Sequence, residues 1–182
     1  MKFIIISTGV ILFFSCGSIG VNDSTKVIKS LATQAQSAQK QVLSKTVLVD
    51  NQGFILRSTK KALSIDFFRQ NYRLINKQVI ENKHDASFSD TIFSYSNSID
   101  TANFYVSRTN TILQDAQINS QKVVLDNDIK IGGSGNVFKN QFKLKEVPDS
   151  LIIKDFEDTN FFLFVFRQNI LRKIIYKSTY ID

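Results

Sequence analysis

Nine residues that recur within the chain limit what it can fold into more than any other feature. Ser134-Gly-Asn-Val-Phe-Lys-Asn-Gln-Phe142 aligns without a gap on Ser64-Ile-Asp-Phe-Phe-Arg-Gln-Asn-Tyr72. Each copy starts on a serine able to accept from the N–H groups of a helix's first turn. Apolar residues follow at spacings of three, four and eight, which puts Val137, Phe138 and Phe142, or Phe67, Phe68 and Tyr72, on one side of a helix. The match extends outward. Upstream, Val47-Leu-Val-Asp-Asn51 parallels Val123-Val-Leu-Asp-Asn127; downstream, Asp100-Thr101 parallels Asp158-Thr159, Phe104 parallels Phe162, Val106 parallels Phe164, and Ile112-Leu113 parallels Ile170-Leu171. Matching blocks in the same order predict an internal duplication. The expected fold is therefore α+β, with two tandem related units, 47–120 and 121–182, each a short helix packed on an antiparallel β-meander.

Within the first unit the pattern predicts a strand near 47–50, a second near 53–57, the helix, and then strands at 91–95, 103–108 and 111–118. Turn signals stand at Asn51-Gln-Gly53 and, in the second unit, at Asp126-Asn-Asp128. Residues 76–89 have no counterpart in the second unit and read as a loop inserted into one copy; its Glu81, His84 and Asp85 are candidates for contact with a partner. The second unit predicts strands at 151–154, 161–167 and 170–176, with Val147-Pro148-Asp149 breaking the chain after the helix. Equivalent strands differ in one respect. Phe104 and Val106 alternate with Asn103 and Ser107, as in a strand with one wet face, whereas residues 161–166 are apolar on both faces. The extra face, Phe161, Leu163 and Val165, is expected to be covered within the monomer by the 134–142 helix or by the N-terminal segment, and failing that by a partner protein.

The start of the chain is an address rather than part of the fold. Lys2 precedes an apolar run, Phe3 to Phe14, that is too short to span a bilayer. It ends in Phe13-Phe14-Ser15-Cys16-Gly17, and Cys16 is the single cysteine of the sequence. This resembles the lipobox of bacterial lipoproteins, with Phe13 standing where Leu is usual. The resemblance implies cleavage before Cys16 and acylation there, and more than one acyl chain gives stable membrane anchoring. A lone thiol in an exported chain, otherwise unpaired in an oxidising compartment, is thereby accounted for. The absence of Asp after Cys16 resembles outer-membrane sorting in some Gram-negative lipoproteins.

The formal net charge is +7, and loss of residues 1–15 removes Lys2 and no acid. Residues 16–46 read as a basic tether, in which Lys26, Lys29, Lys40 and Lys45 outnumber Asp23, a balance that favours anionic headgroups. Ile28, Leu31, Ala35, Ala38 and Val42 recur there at helical spacing, so the tether reads either as a weak amphipathic helix or as a flexible spacer. Nucleic acid is not an expected partner, because an exported chain does not meet it and no basic and aromatic stripe is visible.

Little in the sequence carries chemistry. His84 is the single histidine and lies in the unmatched loop, and the one thiol is assigned to lipid, so no conventional nucleophile and base can be assembled. A metal site is not expected either. Asp155, Glu157 and Asp158 lack the glycine and terminal glutamate of a calcium loop and read as a turn. Gly132-Gly133-Ser134-Gly135 precedes a helix, a setting that can bind an anion through exposed N–H groups, but it equally reads as a tight turn into that helix. No cofactor is expected. The order of elements and the export signal make the body similar to β-lactamase-inhibitor-like domains and to the small lipoprotein of the outer-membrane assembly machinery, without a diagnostic motif of either. The resulting expectation is a non-catalytic cell-envelope lipoprotein binding another protein or an envelope polymer. The alternative is an envelope hydrolase using carboxylates or a serine with a non-histidine base.

Overall fold

The computed structural model describes residues 45–82 and 85–179. The export segment, the tether before Lys45, Cys16 and His84 lie outside the described residues.

The chain enters through β1 (Thr46–Asp50) and passes directly into α1 (Gln52–Ala62). Asn51 is the cap between them, its side chain accepting from the N–H of Phe54 at 3.0 Å. The second strand expected at 53–57 is thus the first half of this helix. Phe54, Ile55, Ser58 and Ala62 are its buried residues, a helical spacing that the short apolar run Phe54-Ile55-Leu56 conceals. After α1 comes α2 (Ile65–Asn71), where Ser64 accepts from the N–H of Phe67 at 3.2 Å and Phe68 is buried.

Four strands follow: β2 (Arg73–Glu81), β3 (Ser89–Ser96), β4 (Thr101–Val106) and β5 (Thr111–Ile118). Of the inserted loop expected at 76–89, residues 76–81 belong to the strand β2. Its sequence shows no alternation because eight of its nine positions are exposed and a bulge at Leu74/Asn76 breaks the register, so burial imposes no period of two. Residues 123–127 do not form the counterpart of β1. Val123 and Leu125 are buried in an irregular segment that ends in a 3₁₀ turn, Asp126–Asp128, with Asn127 at φ 58°.

Next is α3 (Gly135–Gln141), with Ser134 accepting from the N–H of Asn136 at 3.2 Å and Phe138 buried. The last three strands are β6 (Ser150–Lys154), β7 (Asn160–Arg167) and β8 (Ile170–Ser178).

All eight strands join one sheet in the order β1-β6-β7-β8-β5-β4-β3-β2. β1 runs parallel to β6, with Val47 beside Leu151, and every other pairing is antiparallel. The fold is mixed α and β, with the three helices on one face of the sheet. Phe54 meets Phe162 and Phe164 edge-on at 5.7 and 6.0 Å, Phe68 meets Phe104 at 5.5 Å, and Phe138 meets Phe164 and Phe166 at 5.1 and 4.9 Å. Aromatic pairs of this geometry add roughly 0.5–1.5 kcal/mol each to the area they bury. Because α3 packs on Phe164 and Phe166, it cannot also cover the intervening positions of β7, whose side chains point the other way. The expectation that the 134–142 helix shields Phe161, Leu163 and Val165 is corrected accordingly.

Candidate functional site: an open apolar and basic sheet face

Strand register assembles the face away from the helices. Leu48, Ile152, Leu163 and Ile175 stand in one row across β1, β6, β7 and β8. Val165 and Lys173 are paired in the next row, and Phe161 and Lys177 in the row on the other side. Leu48 is 55% exposed, while Ile152, Phe161, Leu163, Val165 and Ile175 are half-buried. The inward-pointing neighbours Phe162 and Phe164 are fully buried. A single strand therefore carries a closed hydrophobic face and an open one.

Basic residues gather at one end of the open face. β7 and β8 turn through Gln168 and Asn169, both at positive φ (52° and 61°), which closes a tight hairpin and brings Arg167 beside β8. A bulge at Val165/Phe166 then lets β8 place two residues, Arg172 and Lys173, against one position of β7. The three cations, with Asn119, Val165, Gln168 and Ile175, line an open hollow of about 880 Å³. Among the described residues no ion pair involves Arg167, Arg172 or Lys173. At the far side of the face, Lys154 bridges Asp158 and Asp50, the latter at 3.6 Å. Its ammonium pKa is raised chiefly by the Asp158 carboxylate. Beside that bridge Leu48, Ile152 and Phe161 line a smaller hollow of about 260 Å³.

The buried acids serve turns. Asp100, fully buried, accepts from the Tyr72 hydroxyl at 2.9 Å, from the backbone N–H groups of Asn119 and Ser120 at 2.7 and 2.9 Å, and from the Ser120 hydroxyl. Burial pushes its pKa up, but these donors outweigh burial and hold the carboxyl below its ordinary range. Tyr72 is pushed well up by burial and by that carboxylate. Asp155 accepts from Thr159 N–H and hydroxyl, both at 2.8 Å, and from the Asn160 amide at 2.7 Å. It too is held below the usual range against the effect of burial. Tyr176 donates to Asn160 at 2.7 Å and is pushed up to about 12, mainly by burial.

Of the other described residues singled out from the sequence, Glu81 and Asp85 lie apart from this face, and the glycine-rich stretch serves the turn into α3. Glu81 ends β2, five strand steps from β7. Asp85 accepts from the N–H and hydroxyl of Ser87 at 3.0 and 2.6 Å, making the turn between β2 and β3. In the glycine-rich stretch the N–H groups of Gly132, Gly133 and Gly135 donate to Leu171, Lys130 and Asn169 carbonyls at 2.9, 3.0 and 2.8 Å. Gly135 is closely packed there, since a Cβ would lie 2.4 Å from both Asn169 Oδ1 and Val147 Cγ1 and would force those side chains to shift. The residues of this face that sequence reasoning missed are Arg167, Arg172 and Lys173, together with Leu48, Ile152 and Ile175. One signal did exist: adjacent Arg172 and Lys173 interrupt the alternation of β8, as a bulge does.

No protein-family model matches the chain, and no curated protein or solved structure matches it.

Proposed function

We propose that this protein is a non-catalytic lipoprotein of the cell envelope that holds a partner protein on the open face of its sheet. The observation that carries the reading is that face itself: an apolar row from Leu48 to Ile175 that α1, α2 and α3 leave open, bordered by Arg167, Arg172 and Lys173 without acidic partners among the described residues. An apolar centre with a charged rim is the anatomy of a protein interface. The basic end selects a partner surface carrying carboxylates. A polymer recognised by its anionic groups would need the cations and not Leu163.

Several features support the remaining parts of the proposal. Anchoring rests on Phe13-Phe14-Ser15-Cys16 and on the basic tether that follows. Duplication is supported by the antiparallel β5–β8 pair, about which β3-β4-β5 and β6-β7-β8 are arranged in mirror order along the sheet. Ser64 and Ser134 cap the helices before the two meanders, and Phe68 and Phe138 fill the core beneath them. Against the hydrolase reading stands the use of Asp100 and Asp155, whose lone pairs are taken up by turn donors and whose pKa values move away from neutrality.

Crosslinking and capture of the full lipidated protein from its own envelope tests the function. Leu163→Lys and Arg172→Glu should each abolish capture of the same partner protein while the fold is retained. Undiminished capture by both variants refutes the reading, and loss with Arg172→Glu alone transfers it to an anionic polymer. Mass spectrometry should find the amino-terminal peptide beginning at Cys16 and heavier by a diacylglyceryl group. A Cys16→Ser form that stays with membranes after high-salt washing, its signal cleaved, removes the anchor from the proposal.

A further inference from the structure

β2 is the last strand of the sheet, and its outer edge faces no other strand among the described residues. Such an edge is a template for pairing, and proteins ordinarily blunt it with a bulge or an edge lysine. Here the bulge at Leu74/Asn76 blunts the first half. Beyond it the strand runs regularly against β3 from Asn76 to Glu81, opposite Ser94 to Ser89. That regular half carries Val79, 61% exposed, between a lysine and a glutamate.

We propose that a second copy of this chain pairs on this edge, β2 antiparallel to β2 about a two-fold axis at Val79. Strand chemistry selects the register. With Val79 opposite the partner's Val79, Lys77 falls opposite the partner's Glu81 and Gln78 opposite the partner's Ile80, each contact occurring twice by symmetry. Residues directly opposite in an antiparallel pair share a face, so Lys77, Val79 and Glu81 meet their complements on one side of the sheet. Moving the axis two residues back, to Lys77, would set lysine against lysine and draw the bulge into the contact. In the single chain Lys77 lies over Phe93, its ammonium 5.8 Å from the ring, and pairing turns it from the ring to the partner's Glu81. The pairing extends the eight-stranded sheet of each chain into one continuous sheet. It is independent of the open face, which lies at the other end.

Cysteine placement tests the register directly, using the full chain with Cys16→Ser so that no native thiol competes. Under mild oxidation Val79→Cys should give a disulfide-linked dimer. Lys77→Cys and Glu81→Cys should each give little alone and a mixed dimer when combined. Sedimentation of the full chain without added cysteines should show a concentration-dependent dimer. Lys77→Glu should weaken that dimer about tenfold, the combined effect of two reversed cross-strand pairs, and Lys77→Glu with Glu81→Lys should restore it. A full chain that sediments as a monomer at every concentration overturns the proposal, as does Lys77→Cys crosslinking to itself as readily as Val79→Cys. A dimer indifferent to both charge reversals also overturns it, since another surface would then be responsible.

Discussion

Adjacent residues of β7 should respond oppositely to the same kind of damage. Leu163 lies on the open face and is half-buried, whereas Phe164 is fully buried against Phe54 and Phe138. A lysine at 163 keeps its methylene stem over Ile152 and Ile175 and carries its ammonium into water, so Leu163→Lys should cost only about 1 kcal/mol or less. Phe164→Ala removes a ring enclosed on all sides and should cost about 3–5 kcal/mol. With unfolding entropies near 2.1 cal/mol/K per residue over a body of roughly 135 residues, these become losses of about 3 °C and about 11–18 °C in Tm. Thermal denaturation followed by circular dichroism reads both. A Leu163→Lys protein that melts as early as Phe164→Ala would show that the face is sealed within the folded chain, and both the corrected account of β7 and the binding proposal would fail together.

Phe68→Ala and Phe138→Ala should each destabilise by about 3–5 kcal/mol in chemical denaturation, because each is the buried anchor of its helix. Asp100 and Asp155 have lowered native pKa values, so their stabilising effect is whole above the unfolded-state value of about 3.9 and disappears as pH falls toward the native pKa. Asp100→Asn should therefore lower stability near neutrality and flatten its decline as pH falls below about 4, as measured by urea titrations at stepped pH. Gly135→Ala should cost about 1–3 kcal/mol, because its Cβ would overlap Val147 and Asn169, and the melting temperature checks it.

What the sequence made legible depended on how much burial shapes each segment. β6, β7 and β8 stand close to their expected bounds because Leu151, Ile153, Phe162, Phe164, Ile174 and Tyr176 line one face. α2 and α3 were visible through Ser64 and Ser134, whose caps leave a local signature. α1 was hidden because Asn51-Gln-Gly53 can introduce a hairpin or cap a helix, and only the burial of Ser58 and Ala62 decides between them. β2 was hidden because it buries almost nothing. The site was half legible. Phe161, Leu163 and Val165 announced a second apolar face by composition alone. Leu48 joins them only through the parallel pairing of β1 with β6, a contact between segments far apart in the chain that no local pattern encodes. Arg172 and Lys173 joined them through a bulge, which re-aims side chains without altering composition.

The two proposed interactions bear on each other through sheet twist. β7 lies five strand steps from β2, so pairing of β2 with its copy would put eleven steps between the two open faces. At roughly 20–25° per step the twist accumulates to about 220–275°, which turns the two faces out of a common plane. A dimer of this shape would not grip one flat surface with both faces and would instead join two partner molecules. Weakening the edge with Lys77→Glu should then leave capture of the partner per chain unchanged while reducing co-capture of two differently tagged partner molecules. Equal loss of both would mean that the partner itself sits on the β2 edge, and the open face would no longer account for its binding.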